Sequence, residues 1–143
     1  MAVLLVRHAT AGNRHRWSGD DRLRPLDRRG RRQAKALVET LGAYPVSRIV
    51  SSPFLRCLQT VEPLGRKLGL PIEERGELAE GSCPAALAAL LHELDGDTPV
   101  VCSHGDLILG LVGRERAAPK GSTWILEHDG TGFAPTVYLP PPR

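Results

Sequence analysis

Short apolar runs alternate with amphipathic segments along this chain, and this alternation restricts the fold more than any other sequence feature. Residues 2–6 form a continuous apolar run, residues 47–51 are predicted as the second strand, and residues 98–103 form a β-rich run. A helical pattern of apolar residues follows each of these segments. Continuous apolar runs of this length are typical of parallel strands that are covered on both faces. The alternation therefore predicts an α/β fold, a three-layer sandwich whose mostly parallel central sheet carries helices on both faces.

Capping residues and glycines indicate where the predicted helices begin and end. Four helices are predicted, with starts near Asp27, Pro53, Pro84 and Gly105. A more polar strand is expected at 71–78, and the turn-like HDGTG indicates a hairpin between strands at 123–127 and 136–139. We expect a single domain over residues 1–139, followed by an extended tail at 140–143.

The composition is that of a globular protein, which we expect in the cytoplasm. Hydrophobic residues make up 41% and charged residues 24% of the chain. No stretch approaches the ~20 apolar residues of a membrane span, and the opening MAVLLV runs into Arg7 without a signal-peptide cleavage site. Cys57, Cys83 and Cys102 are odd in number and lack CxxC spacing. Neither a disulfide framework nor a metal site is therefore predicted, and no membrane association is expected.

Basic residues are concentrated in one part of the chain. The net charge is only +3, yet residues 7–32 include nine arginines against three aspartates. Three interpretations are open: a solvated helix face, a nucleic-acid-binding patch, or a site for a small anion such as a phosphate. Aromatic side chains that would stack on bases form only 4% of the chain, which argues against nucleic acid as a partner.

Three predicted strands end on residues with chemical functions. The first ends at Arg7 and His8, the second leads into SSPFLRC at 51–57, and the third leads into CSHGD at 102–106. Right-handed crossovers bring the carboxyl ends of parallel strands to one edge of a sheet, where α/β proteins bind ligands. The three segments therefore predict a single pocket.

The residues of this predicted pocket suit the transfer of a phosphoryl group. Arg7 and Arg56 offer planar sets of N–H donors for phosphate oxygens. The neutral imidazole of His8 can attack phosphorus and form a covalent phosphohistidine. His104 can donate a hydrogen bond to the oxygens as negative charge develops. This chemistry needs no metal and no cofactor.

The segments LVRHATAG, SSPFLRCLQT and VVCSHGD resemble the signature motifs of the histidine phosphatase superfamily, the phosphoglycerate-mutase-like proteins. The segment DDRLRPLDRRGRRQA is similar to the SixA-like phosphohistidine phosphatases. RHATAG, GDD and KGSTW are also similar to the histidine phosphatase domain fused to some MutT-type Nudix hydrolases. The resemblance implies a phosphoglycerate-mutase-like fold, and it implies that Arg7, His8, Arg56 and His104 form the phosphate pocket.

The leaving group of a phosphate ester needs a proton donor. The Leu-x-Glu pattern of the family corresponds to Leu78–Glu80, so the resemblance favours Glu80 as the catalytic acid. Glu77 is the alternative, and both carboxylates are equally compatible with an exposed loop. A phosphohistidine substrate has a good leaving group and depends less on such an acid.

Departures from the family pattern bear on the substrate. Ala9 and Thr10 replace the Gly-Glu that follows the Arg-His pair in mutases and sugar bisphosphatases, and the helical insertions that cap those enzymes are lacking. An open pocket without a cap favours phosphohistidine on a protein. A nucleoside di- or triphosphate is the alternative.

The loop after the first strand supplies the candidate substrate-binding residues, which are Asn13, Arg14, Arg16 and Arg24. The arginines could hold further phosphates of a nucleotide or contact an acidic phosphoprotein, and both interpretations stay open. A catalytically silent phosphate-binding module and a nucleic-acid binder using residues 28–35 are less favoured, because neither requires all four pocket residues.

Overall fold

The computed structural model describes residues 2–143, so Met1 of the predicted domain lies outside the described residues. The strands are β1 (Ala2–Arg7), β2 (Arg48–Ser51), β3 (Ile72–Glu74), β4 (Pro99–Ser103), β5 (Thr123–His128) and β6 (Phe133–Leu139). The helices are α1 (Arg28–Gly42), α2 (Leu55–Leu68), α3 (Pro84–Glu93) and α4 (Gly105–Val112). Short 3-10 helices occupy Asp21–Leu23 and Gly76–Leu78, and residues 140–143 follow β6 without further helix or strand.

The six strands form one open sheet in the order β3-β2-β4-β1-β5-β6. The first four strands in this order are parallel, and β5 and β6 are added antiparallel at one side. The predicted mostly parallel sheet is therefore confirmed. The carboxyl ends of β1, β2 and β4 lie at the same edge of the sheet, as right-handed crossovers require.

Helices cover both faces of the sheet, because successive residues of a covered strand point to opposite sides. Leu4 and Val6 pack in the core that α1 and α2 form on one face. Leu5 and Val101 pack in the core that α3 and α4 form on the other face. The predicted three-layer sandwich is confirmed.

The region predicted as a strand at 71–78 is shorter than expected. After β3 the chain turns into the 3-10 helix Gly76–Leu78, and the side chain of Leu78 is buried in the core beneath α3. The Ser103 hydroxyl donates a hydrogen bond to the Leu78 carbonyl at 2.7 Å. This turn directs the following residues, 79–82, toward the carboxyl end of β4. No helix within residues 2–143 is both long enough and apolar enough to cross a membrane.

Candidate active site

The carboxyl ends of β1, β2 and β4 are joined by backbone hydrogen bonds just beyond the strands. The His8 N–H donates to the Ser103 carbonyl at 3.1 Å, and the Ser52 N–H donates to the Cys102 carbonyl at 3.0 Å. These contacts bring the segments that follow the three strands together at one edge. The predicted pocket residues Arg7, His8 and His104 therefore lie close together, and Arg56 joins them from the first turn of α2.

His8 is a buried, uncharged imidazole. His8 is only 4% exposed, and its Nδ1 atom is 2.8 Å from the Ala9 carbonyl oxygen. Because a carbonyl only accepts, Nδ1 carries the proton and Nε2 keeps its lone pair. Burial, with added repulsion from His104, Arg56 and Arg7, lowers the pKa of His8 to about 3. The imidazole is therefore neutral and nucleophilic at physiological pH.

Two arginines with fixed positions flank His8. Arg56 is fully buried and donates from Nη1 to the Asp21 carbonyl at 2.8 Å and from Nη2 to the Asp21 carboxylate at 3.1 Å. Arg7 donates from Nη1 to the Ala118 carbonyl at 2.8 Å. A Cβ at Gly105 would lie 2.8 Å from Cζ of Arg7. A glycine is therefore required after His104 so that the Arg7 guanidinium can pack against the start of α4.

His104 presents its second ring nitrogen as a hydrogen-bond donor. Its Nε2 lies 2.9 Å from Oγ of Ser52, and the same Oγ accepts the Phe54 N–H at 3.2 Å. We assign the one hydrogen of the Ser52 hydroxyl to a bond with Nε2, which places the proton of His104 on Nδ1. The ring centroids of His8 and His104 are 5.4 Å apart, and the ring planes meet at 62°.

Five buried polar side-chain atoms of residues 2–143 have no hydrogen-bond partner, and three of them are N–H donors of the pocket. These donors are Nε of Arg7, Nε of Arg56 and Nδ1 of His104. Buried donors are normally paired, and unpaired ones indicate a place for an acceptor. Three such donors around a neutral imidazole suit the oxygens of a phosphoryl group.

The comparisons with known proteins agree with this geometry. The family model of the histidine phosphatase superfamily (branch 1) matches residues 3–84. An 8-oxo-(d)GTP phosphatase of Mycolicibacterium smegmatis is 41% identical over 155 residues, which cover 98% of this chain and 48% of that relative. The chain belongs to the histidine phosphatase superfamily. It spans about half the length of the curated relative it matches.

Solved structures of other histidine phosphatases share the fold. The protein histidine phosphatase SixA, solved with tungstate, has a TM-score of 0.81 and 26% identity, covering 99% of this chain and 97% of its own. A mycobacterial glucosyl-3-phosphoglycerate phosphatase has a TM-score of 0.74 at 19% identity, covering 98% of each chain. At that identity the second likeness concerns the fold alone.

Glu80, but not Glu77, lies at the candidate pocket. Oε1 of Glu80 is 2.7 Å from Nη2 of Arg14 and 3.5 Å from Nη2 of Arg56. Glu77 instead pairs with Arg75 at 2.6 Å. The Gly81 N–H donates to the Asp106 carboxylate at 3.1 Å, which ties the Glu80 loop to the first turn of α4.

The candidate substrate-binding residues occupy different positions in the loop after β1. Arg14 reaches Glu80 at the pocket, and Arg16 is exposed on the same loop. Asn13 is also exposed, and its Oδ1 accepts the His15 N–H at 2.8 Å in a local turn. Arg24 is only 5% exposed, because it donates to the Ala11 carbonyl and to the Asp21 carboxylate. The structure thus gives Arg24 contacts that support the loop.

Sequence reasoning missed two charged residues beside the pocket. Asp21 forms ion pairs with both Arg56 and Arg24, although the surrounding sequence indicates only a charged loop. Lys120 precedes Gly121, whose N–H donates to the carbonyls of Arg7 and His8 at 3.2 and 3.0 Å. Burial and the positive charges of Arg7 and Arg24 lower the pKa of Lys120. The resemblance of KGSTW and GDD to the Nudix-fused domain was the available signal for both.

Proposed function

We propose that this chain is a metal-independent phosphatase that acts through a covalent phosphohistidine on His8. The observation that carries the proposal is the buried, neutral imidazole of His8 among three unpartnered N–H donors of Arg7, Arg56 and His104. The arginines supply the positive charge that phosphoryl transfer requires. The family membership and the relatives named as phosphatases support the same reaction class.

The first step forms the phosphoenzyme. The lone pair on Nε2 of His8 attacks phosphorus, and the bond from phosphorus to the leaving atom breaks. That atom is an oxygen in a nucleotide and a ring nitrogen in phosphohistidine, and it takes a proton from the Glu80 carboxylic acid. Arg7, Arg56 and His104 donate hydrogen bonds to the non-bridging oxygens as charge develops. Glu80 contacts Arg14 and Arg56. In the proposed complex the phosphate takes over these contacts, which frees the Glu80 carboxyl to hold the proton for the leaving group.

The second step restores the enzyme. A water molecule gives its proton to the Glu80 carboxylate and attacks phosphorus, the bond from phosphorus to Nε2 of His8 breaks, and inorganic phosphate leaves. The hydrogen bond from Nδ1 of His8 to the Ala9 carbonyl holds the ring in one orientation through both steps. Each group that acts in the first step is thereby returned to its starting form.

Two substrate classes are supported by different observations. A phosphohistidine protein is favoured by the likeness to SixA. It is also favoured because residues 2–143 contain no α-helix beyond the four that cover the sheet, and so no helical cap over the pocket. A nucleoside di- or triphosphate is favoured by the 41% identity to an 8-oxo-(d)GTP phosphatase. The cytoplasm is the proposed compartment, in line with three cysteines that are all free thiols.

Rapid-quench labelling tests the proposed reaction. We expect wild-type protein to carry acid-labile, base-stable phosphate after mixing with a labelled substrate, and His8→Ala to carry none. His92→Ala is the matched control, because His92 is exposed on α3 and its ring contacts are with the β5–β6 hairpin. Equal labelling of wild type and His8→Ala would refute the nucleophile, and no labelling of either would support a phosphate-binding module instead.

A comparison of kcat/KM values tests the substrate class. The substrates are a phosphohistidine protein, nucleoside di- and triphosphates, and small phosphosugars. We expect the phosphohistidine protein or the nucleotides to give the highest values and phosphosugars the lowest, since remote binding energy raises kcat/KM for the true class. A clear preference for a phosphosugar would contradict the open-pocket interpretation.

A further inference from the structure

An apolar cleft adjoins the phosphate pocket. It has a volume of about 440 Å³ and lies between the 3-10 helix Asp21–Leu23 and the start of α2. Five of its seven lining residues are apolar, namely Leu23, Pro53, Phe54, Leu55 and Leu58. Asp20 and Arg22 complete the lining. The volume is within the range of small-molecule sites, about 300–1,000 Å³.

Both walls of the cleft contact the phosphate-binding residues. The Phe54 ring centroid is 4.8 Å from the His104 ring, and the Arg56 guanidinium lies over the Phe54 ring at 4.9 Å. On the opposite wall, the backbone and side chain of Asp21 both accept hydrogen bonds from Arg56. Phe54 therefore lies both in the lining of the cleft and against Arg56 and His104 of the phosphate pocket.

One exposed apolar side chain lines this cleft, and a second lies on the same loop. Among residues 2–143, four large hydrophobic side chains are exposed, and two of them, Leu23 at 60% and Trp17 at 38%, belong to the loop beside the pocket. The Trp17 indole N–H donates to the Asp20 carbonyl at 2.9 Å, which fixes the ring next to the cleft lining. Exposed apolar side chains next to a reactive pocket are typical of ligand-binding surfaces.

The polar rim of the cleft offers little to a hydrophilic ligand. Asp20 and Arg22 bind each other through hydrogen bonds of 2.6 to 3.1 Å, so their charges are largely satisfied. A sugar needs several hydrogen-bonding side chains, and a protein partner needs an interface of more than about 1,000 Å². A flat aromatic ring needs mainly apolar contacts, which Leu23, Phe54 and the other three apolar lining residues offer.

We propose that this cleft binds the base of a nucleoside phosphate whose terminal phosphate occupies the pocket of His8. The inference rests on the proposed function, because it takes the phosphate from that reaction and assigns the nucleoside to Leu23 and Phe54. It makes these two residues determinants of substrate specificity.

Guanosine diphosphate and inorganic pyrophosphate form a matched pair of probes, since both carry two linked phosphates and only one carries a nucleoside. We expect Leu23→Ser to lower kcat/KM about tenfold for guanosine diphosphate and to change it less than twofold for pyrophosphate. Leu23 is exposed, so the substitution leaves the core intact. Leu68→Ser is the control, because Leu68 is a similarly exposed leucine at the far end of α2.

Three outcomes would overturn the proposal. They are an unchanged kcat/KM of Leu23→Ser for guanosine diphosphate, an equal loss on both probes, or a loss confined to a phosphohistidine protein. The last would assign the cleft to a protein partner.

Calorimetric binding of guanosine monophosphate separates this inference from the reaction. In the His8→Ala background, which cannot form a phosphoenzyme, adding Leu23→Ser should raise the dissociation constant about tenfold for the nucleotide and leave inorganic phosphate binding unchanged. Equal affinities of the single and double variants for the nucleotide would overturn the cleft assignment. Failure of phosphoenzyme labelling together with this difference would refute the proposed reaction and leave the cleft assignment standing.

Discussion

At the scale of single residues, each side chain of the pocket is held by a hydrogen bond at one of its nitrogens, while another nitrogen has no partner in the described part of the chain. Nδ1 of His8 is bound to the Ala9 carbonyl, and Nε2 of His104 is bound to Ser52. Nη1 and Nη2 of Arg56 are bound to Asp21, while Nε has no partner among the described residues. Each side chain is thereby oriented before a substrate arrives, which lowers the reorganisation required in the transition state.

The low pKa of His8 predicts an acid-sensitive contribution to stability. The pKa falls from 6.5 to about 3 on folding because the ring is buried. The unfolded chain therefore binds the proton first, so this stabilisation is complete above pH 6.5 and is lost as the pH falls toward 3. Between pH 7 and pH 4.5 we expect wild type to lose roughly 2–3 kcal/mol more unfolding free energy than His8→Gln in urea titrations. Parallel losses in both proteins would show that His8 is not the responsible group.

The position of Glu80 predicts a dependence on the leaving group. Glu80→Gln cannot donate the proton, so we expect kcat to fall about a hundredfold for alkyl phosphates and much less for activated aryl phosphates. Glu77→Gln is the control, since Glu77 pairs with Arg75 away from the pocket. Steady-state kinetics on both ester classes measure the difference, and equal losses on the two would assign Glu80 to binding instead of acid catalysis.

At the scale of elements, the N-terminus of α1 holds the loop that follows His8. The Asp27 carboxylate accepts hydrogen bonds from the Gly30 N–H at 2.7 Å, the Thr10 hydroxyl at 2.7 Å and the Gly12 N–H at 2.9 Å. Although burial opposes them, these hydrogen bonds lower the pKa of Asp27. A Cβ at Gly30 would lie 1.9 Å from the Thr10 carbonyl oxygen. Asp27 and Gly30 of the segment LDRRG thus cap α1 and also hold the loop that shapes the pocket.

Removal of this cap should affect stability and catalysis together. We expect Asp27→Ala to lower the free energy of unfolding by about 2 kcal/mol, because three donors lose their acceptor. We also expect a lower kcat/KM, because the loop after His8 loses its attachment to α1. Urea unfolding and steady-state kinetics measure the two effects. Glu39→Ala, an exposed position on the same helix, should change neither, and a kcat/KM of Asp27→Ala equal to wild type would refute the link.

At the scale of the whole molecule, four separate strand ends and loops contribute to one anion site. Arg7 is the last residue of β1 and His8 follows it, Arg56 follows β2, His104 follows β4, and Glu80 lies in the turn after β3. The pocket therefore exists only when the sheet has formed in its full order, so binding an anion there is coupled to folding of the entire sheet.

A tetrahedral oxyanion should accordingly raise the melting temperature. Tungstate at about a hundred times its dissociation constant stabilises the folded state by roughly 2.7 kcal/mol, which corresponds to about 8–10 °C for a chain of this size. We expect Arg7→Met to abolish most of this increase and His92→Gln to retain it. Thermal denaturation with and without tungstate at constant ionic strength provides the measurement. An equal increase in Arg7→Met would mean that the anion binds elsewhere.

Local patterns determined most of the fold. The helical spacing of apolar residues, the N-cap Asp27 and the turn around Gly130 are short-range features, so the predicted helices and the hairpin were confirmed to within a few residues. Arg7, His8, Arg56 and His104 could be located because each lies in a motif directly after a strand or at the start of the next helix. The strand at 71–78 was predicted too long, since burial of Leu78 is a tertiary effect.

Contacts between distant residues required the tertiary structure. The sequence left Glu77 and Glu80 as alternatives, and only the folded chain pairs one with Arg75 and the other with Arg14, 66 residues away. From the sequence, Arg24 and Asp21 are simply charged residues of a loop. In the folded chain Arg24 is buried and Asp21 forms an ion pair with Arg56. Periodicity and capping act over a few neighbouring residues, whereas burial, protonation and ion pairing depend on which segments the sheet brings together. For that reason the sequence determined the elements and the candidate residues of the pocket. The tertiary structure alone decided the charge states and partners of those residues and the cleft beside them.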